Sequence, residues 1–170
     1  MTRKDAETLL DCCWGPRARR SEQAHYRIAT KFSFRNRWLS YLVIALAVVT
    51  SSSLFAELPD DHPNARWVLA GISMLAAFIV GYQRSADYAA RSTDHQRSGA
   101  DWGGIVSRTE MLRKQIGDQG VDDGVMNQLS ADMDAVTKRS PQIPKRMFNK
   151  CKISETYLYD AGRRVCPTEP

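Results

Sequence analysis

Residues 38–56, WLSYLVIALAVVTSSSLFA, hold nineteen consecutive positions without an ionisable side chain, and residues 67–83, WVLAGISMLAAFIVGYQ, hold seventeen more. At about 1.5 Å of helical rise per residue the first stretch covers roughly 28 Å, which matches a bilayer core of about 30 Å. Trp38 and Tyr41 stand at the start of the first stretch, and Trp67 and Tyr82 mark the two ends of the other, where amphipathic rings sit best between hydrocarbon and water. Backbone groups in hydrocarbon must be satisfied within their own segment, so each stretch is expected to be a helix. Only residues 57–66 lie between them. The pattern is that of a transmembrane hairpin, and runs of this length exceed those of ordinary buried helices. A cleavable leader fits worse, because the first stretch starts far from residue 1 and a second one follows.

Charge sets the expected orientation. The segment before the first span carries Arg17, Arg19, Arg20, Arg27, Lys31, Arg35 and Arg37, and Arg84 follows the second, whereas the connecting loop sets Glu57, Asp60 and Asp61 against Arg66. Basic residues near a span tend to stay in the cytoplasm, so both termini are expected there and residues 57–66 outside. The net charge of +5 is concentrated beside the membrane, with Arg27, Lys31, Arg35, Arg37 and Arg84 as the juxtamembrane set. That placement points to anionic lipid, not to nucleic acid.

Around residues 38–83 the organisation is helical. Residues 1–37 read as a cytoplasmic helical segment: a short helix over residues 4–13, an interruption at Trp14-Gly15-Pro16, and a helix from Pro16 running into the first span. Residues 84–160 read as a second cytoplasmic region and residues 161–170 as a tail. The second span is expected to continue without a break, with Trp102, Ile105, Val106, Thr109, Leu112 and Ile116 on one face and a kink at Gly103-Gly104. Another helix carries Met126, Leu129, Met133 and Val136 inward, and Pro144 opens a last one towards Tyr159. No segment alternates with a period of two, so the expected class is an all-α membrane protein with a two-helix hairpin and extended cytoplasmic helices. Cys12, Cys13, Cys151 and Cys166 lack metal-ligand spacing, and on the reducing side of the membrane they read as thiols more readily than as a disulfide framework.

Residues 25–58, HYRIATKFSFRNRWLSYLVIALAVVTSSSLFAEL, resemble the opening of SLATT domains, two-transmembrane effectors associated with bacterial nucleotide-second-messenger and related immune systems. Asp94-His95-Gln96-Arg97-Ser98-Gly99-Ala100 and Ser140-Pro141-Gln142-Ile143-Pro144 fall where that family has its His-Arg and Pro-x-Ile-Pro features, so the likeness spans residues 6–158. Ser40 departs from the glycine expected near the start of the first span. The resemblance implies an effector of the bacterial inner membrane that oligomerises and permeabilises it, downstream of a nucleotide-generating or nucleotide-sensing protein. It also makes His25, Tyr26, His95, Arg97, Pro141 and Pro144 candidates for cytoplasmic coupling.

The residues themselves agree with assembly in lipid. Ala47 with Ser51, Ser52 with Ala56, and Ala77 with Gly81 are small pairs four apart, the spacing at which helix backbones approach closely. Thr50, Ser51, Ser52 and Ser53, with Ser73, are hydroxyls at membrane depth that line water in an oligomer or, more ordinarily, bond back to their own helix carbonyls. An enzyme is not expected: His25, His62 and His95 have no ligand partner or nucleophile at suitable spacing, Asp132 and Asp134 face different ways, and the glycines lack the context of a phosphate loop. No cofactor is implied. The competing reading is a membrane-anchored adaptor that recruits a cytoplasmic partner without forming a pore.

Overall fold

The computed structural model describes residues 3–55, 63–116 and 122–151, with side chains over 4–51, 67–116 and 122–151. Every element among them is helical: α1 (Arg3–Thr8), a π-helical stretch (Leu9–Trp14), α2 (Gly15–Phe55), α3 (Pro63–Ala86), α4 (Tyr88–Gln115), α5 (Asp123–Arg139) and α6 (Lys145–Lys150). Residues 56–62 and 117–121, the continuation of the last helix past Cys151 and the tail lie outside the described residues, while residues 63–66 of the loop expected between the spans already belong to α3. The packing divides into one unit of residues 30–92 and another that joins 1–29 to 93–170.

In the second of these, the apolar stripes read from the sequence meet. Trp102, Ile105 and Val106 of α4 pack with Met126, Leu129, Met133 and Val136 of α5 and with Leu10 and Ala18. Period 3.6 places each set on one helix face, and burying the faces together stabilises helices too polar to persist alone. Asp122 begins α5 as its N-cap, its carboxylate accepting from Gly124 N. Ion pairs close the rim, Arg139 to Asp101 at 3.2 Å and Arg108 to Asp132. Asp11, almost fully buried, meets Arg113 Nε at 3.2 Å.

Four expectations are corrected here. Trp14-Gly15-Pro16 does not interrupt the helix, because the preceding turn widens: the N–H of Gly15 bonds to Leu10 O, five residues back. A proline ring crowds the carbonyl four residues before it and offers it no N–H, and a π-helical turn just upstream absorbs both defects. Gly103-Gly104 does not kink α4, which runs unbroken from Tyr88 to Gln115. The break comes instead at Asp87, between α3 and α4, where φ is 45°. Lastly, Cys13 and Cys151 are free thiols as expected, but Cys12 is disulfide-bonded.

The unit of residues 30–92 carries the hairpin. One helical run long and apolar enough to cross a membrane starts at Trp67, and 6% of its most apolar window is buried, unlike a core helix of a soluble protein. Ile44, Val48, Met74 and Phe78 are all more than half exposed. On α2 the apolar run passes beyond Ser51, the last described side chain there, so the side chains at the loop end of the first span lie outside the described residues. At the opposite end of the hairpin a polar clamp joins the helices: Gln83 Nε2 donates to Asn36 Oδ1 at 3.0 Å and to Ser40 Oγ at 2.9 Å, while Ser40 Oγ donates to Asn36 O at 2.9 Å. Ser40, where the resemblance leads to the expectation of a glycine, thus links the two helices.

Candidate functional site

His25 on α2 and His95 on α4 are 1% and 6% exposed, and their Nδ1 atoms stand 2.9 Å apart. Such a contact holds one proton: one imidazole donates from Nδ1 and the other accepts. The rings are 5.1 Å apart between centroids and inclined by 40°. Burial lowers the pKa of His25 to about 4, with the neighbouring ring adding to the effect, and burial lowers that of His95 against the opposing charge of Asp94. Both imidazoles are therefore neutral at pH 7, and each commits a nitrogen to the other that a metal would otherwise use.

Small residues let α2 and α4 approach closely enough for this pair. A Cβ on Gly99 would sit 3.1 Å from the Tyr26 ring, and one on Gly103 would sit 3.1 Å from Glu22 Oε1. Arg19 pairs with Glu110 nearby. Partial burial raises the pKa of Glu22, Arg19 opposes the shift, and Glu110 adds to it.

The Ser140-Pro141-Gln142-Ile143-Pro144 segment closes over the same place. A cavity of about 370 Å³ is walled by Ser21 and His25 on α2, Trp102 on α4, and Ser140, Pro141 and Ile143. Another, of about 420 Å³, has Asp94, Arg97 and Asp101 on one side and Ser140 and Pro141 on the other. Pro141 thus lies between His25 and Arg97, while Pro144 stands before α6 as its cap. Arg20 stacks over Phe148 of α6 with its guanidinium carbon 5.3 Å from the ring centre, and Arg27 donates to Lys150 O at 3.0 Å. Five of the six residues singled out for coupling, His25, Tyr26, His95, Arg97 and Pro141, therefore meet around the α2–α4 contact.

A model of the family described as SMODS and SLOG-associating 2TM effector domain, family 4, matches residues 7–152. The chain belongs to this family. No curated protein and no solved structure matches it. Membership makes the chain a membrane-associated effector domain, consistent with the exposed apolar hairpin.

The other residues singled out in the sequence fall on the hairpin or beside it. Thr50 Oγ1 bonds to Leu46 O and Ala47 O, both at 3.0 Å, so its hydroxyl is satisfied within its own helix. Ser51 and Ser73 are exposed, as are Ala47, Ala77 and Gly81, and a Cβ built on Gly81 meets nothing within 4 Å. Ser52, Ser53 and Ala56 lie outside the described side chains. Arg27, Lys31, Arg35, Arg37 and Arg84 are all exposed. The Asn36–Ser40–Gln83 clamp escaped the sequence reading, although a glutamine ending an apolar run and two polar residues four apart on the other helix are its signal.

Proposed function

We propose that the protein is the membrane-permeabilising effector of a bacterial antiviral system, triggered by an upstream nucleotide-generating or nucleotide-sensing protein and carrying out no chemistry of its own. The observation that carries this reading is the hairpin of residues 30–92, which presents large apolar side chains outward on α2 and α3 while the cytoplasmic helices bury theirs. Family membership supports it, since the family is named as an effector domain associating with SMODS and SLOG. Two helices enclose no aqueous path, so conduction requires several copies in the inner membrane. Both termini face the cytoplasm in this reading, where the trigger acts on the region around His25, His95 and Pro141. With no charge inside either span, the pore gates by wetting or assembly and selects weakly among ions.

The test is expression in bacteria receiving the trigger, read by a membrane-potential dye and by entry of an impermeant dye. Thr50, Ser51, Ser52 and Ser53 changed together to Val or Ala keep the helix apolar, and the change is expected to reduce dye entry and toxicity at equal membrane levels. A wild-type protein that arrests growth while potential and dye exclusion stay intact overturns the pore and leaves the adaptor as the better account.

A further inference from the structure

Asp87 is the one described non-glycine residue with a positive φ, at 45°, and it stands four residues past the second span. A left-handed conformation costs an L-residue about 1–2 kcal/mol, and Asp tolerates it better than most. The hydrogen-bond ladder continues around it, with Asp87 N bonding to Gln83 O at 3.2 Å and Arg91 N to Asp87 O at 3.1 Å, and its carboxylate accepts from Ala90 N at 3.4 Å. The kink therefore turns the chain without unravelling it.

What the kink achieves is local. Residues six apart on a straight helix point about 120° away from one another and lie roughly 9 Å apart along the axis. Tyr82 and Tyr88 are six apart, yet their hydroxyls are 2.9 Å from each other and their rings meet edge to face at 6.3 Å between centroids. Tyr88 is fixed from the other side by Phe32 of α2, 6.0 Å away between centroids. One turn beyond Phe32 on α2 is Arg35, and one turn beyond Tyr88 on α4 is Arg91, both exposed. Hydrogen bonding to Tyr82 raises the pKa of the Tyr88 phenol and burial adds to this, while the positive charges of Arg35 and Arg91, each one helical turn along from the Phe32–Tyr88 contact, pull the other way. Trp38, three residues from Arg35, and Tyr82 itself are exposed aromatic residues at the ends of the spans. They place the group at headgroup depth.

We propose that Tyr82, Tyr88, Arg35 and Arg91 form a clamp for the phosphodiester of an anionic phospholipid in the leaflet that contacts the cytoplasmic helices. The Tyr82–Tyr88 hydrogen bond uses one O–H and leaves the other to donate, and this donor with two guanidinium groups matches the acceptor oxygens and the charge of a phosphate, for which arginine's planar fork is well suited. The backbone strain at Asp87 is retained because it assembles the hydroxyl pair. The clamp rests on the membrane-hairpin reading and adds to it a built site, distinct from the diffuse attraction of basic residues to an acidic surface.

The test is lipid retention by the full chain in mild detergent, read by native mass spectrometry, with phosphatidylglycerol competing against phosphatidylcholine of the same acyl chains. The wild type is expected to prefer phosphatidylglycerol. Tyr82→Phe with Tyr88→Phe keeps every charge and is expected to lower that preference about fivefold; Arg35→Gln or Arg91→Gln is expected to do the same, near the effect of one basic residue at a membrane surface. Asp87→Ala is decisive because the two pictures differ in sign. It removes a negative charge, so diffuse attraction predicts a stronger preference, whereas the clamp predicts a weaker one as the kink relaxes and the hydroxyls part. An unchanged or raised preference in the Phe pair and in Asp87→Ala overturns the proposal. So does displacement of the lipid by millimolar inorganic phosphate, which would assign the site to a free anion. Flotation of each variant with phosphatidylcholine vesicles reports insertion separately, so failure of the hairpin reading is told apart from failure of the clamp.

Discussion

His25 gains nothing from water and holds its hydrogen bond only while the pair carries a single shared proton, so acid should act on it directly. Its pKa is about 4 in the folded chain and about 6.5 when unfolded. The folded value is the depressed one, so the unfolded chain binds more protons between these limits, and stability present above about pH 6.5 is lost as pH falls towards 4. The loss expected from His25 is on the order of 3 kcal/mol at 1% exposure, and His95, shifted the same way, adds to it. Around the pair, Glu22, Asp94, Arg17 and Arg97 carry ionisable side chains of their own, so the measurement is a comparison. Unfolding in detergent, followed by tryptophan fluorescence from pH 7 to pH 4, should show a shallower acid slope for the pair His25→Gln and His95→Gln than for the wild type. Equal slopes would mean the pair does not set the acid response. That His25 and His95 lie on helices extending from the hairpin was legible in the sequence, and the resemblance named both for coupling. That they meet through Nδ1, and that Pro141 stands beside them, depends on packing distances that spacing along a chain does not encode.

At the level of elements, the apolar stripes of α4 and α5 were legible because period 3.6 over several turns has few alternative readings. Breaks were not, and the glycines show why. A glycine in a helix weakens it for lack of a side chain and also permits close approach, and only the neighbour reveals which effect rules. On α4, a Cβ at Gly104 meets nothing within 4 Å, whereas one at Gly99 meets three atoms of the Tyr26 ring between 3.1 and 3.2 Å. Gly104→Ala is therefore expected to stabilise the packed helices outside the hairpin by roughly 0.5–1 kcal/mol, the helix-propensity gain. Gly99→Val is expected to destabilise them by about 1–3 kcal/mol, because its branched side chain must displace Tyr26 and loosen the α2–α4 contact that holds His25 against His95. Denaturant midpoints of the two variants check both signs at once. The break at Asp87 was equally hidden: nothing in Ala86-Asp87-Tyr88 breaks a helix by composition, and the contacts of Tyr88 with Phe32 and Tyr82 that accompany it are not encoded in local sequence.

For the whole molecule, the question is what covers the hairpin's remaining surface. Lipid satisfies an apolar side chain as well as another helix does, so exposure of Met74 and Phe78 calls for no protein partner. Small residues are different, because they offer lipid little contact and another backbone a close approach. Ala77 and Gly81 lie four apart on α3 and are exposed, and nothing within the described chain occupies the space beside Gly81. If copies associate through this stripe, Leu at either position holds the backbones apart, and Leu also favours the helix and the membrane, so insertion is preserved. Crosslinking in native membranes, before and after triggering, should then give oligomers for the wild type and fewer for Ala77→Leu and Gly81→Leu at equal membrane levels. The polar clamp of Gln83 with Asn36 and Ser40 supplies the control: Gln83→Leu loosens the hairpin within one chain, leaves the Ala77–Gly81 stripe intact, and should retain more crosslinking than Gly81→Leu. A wild type that remains monomeric in triggered cells would remove the basis for a pore, since two helices alone cannot enclose one.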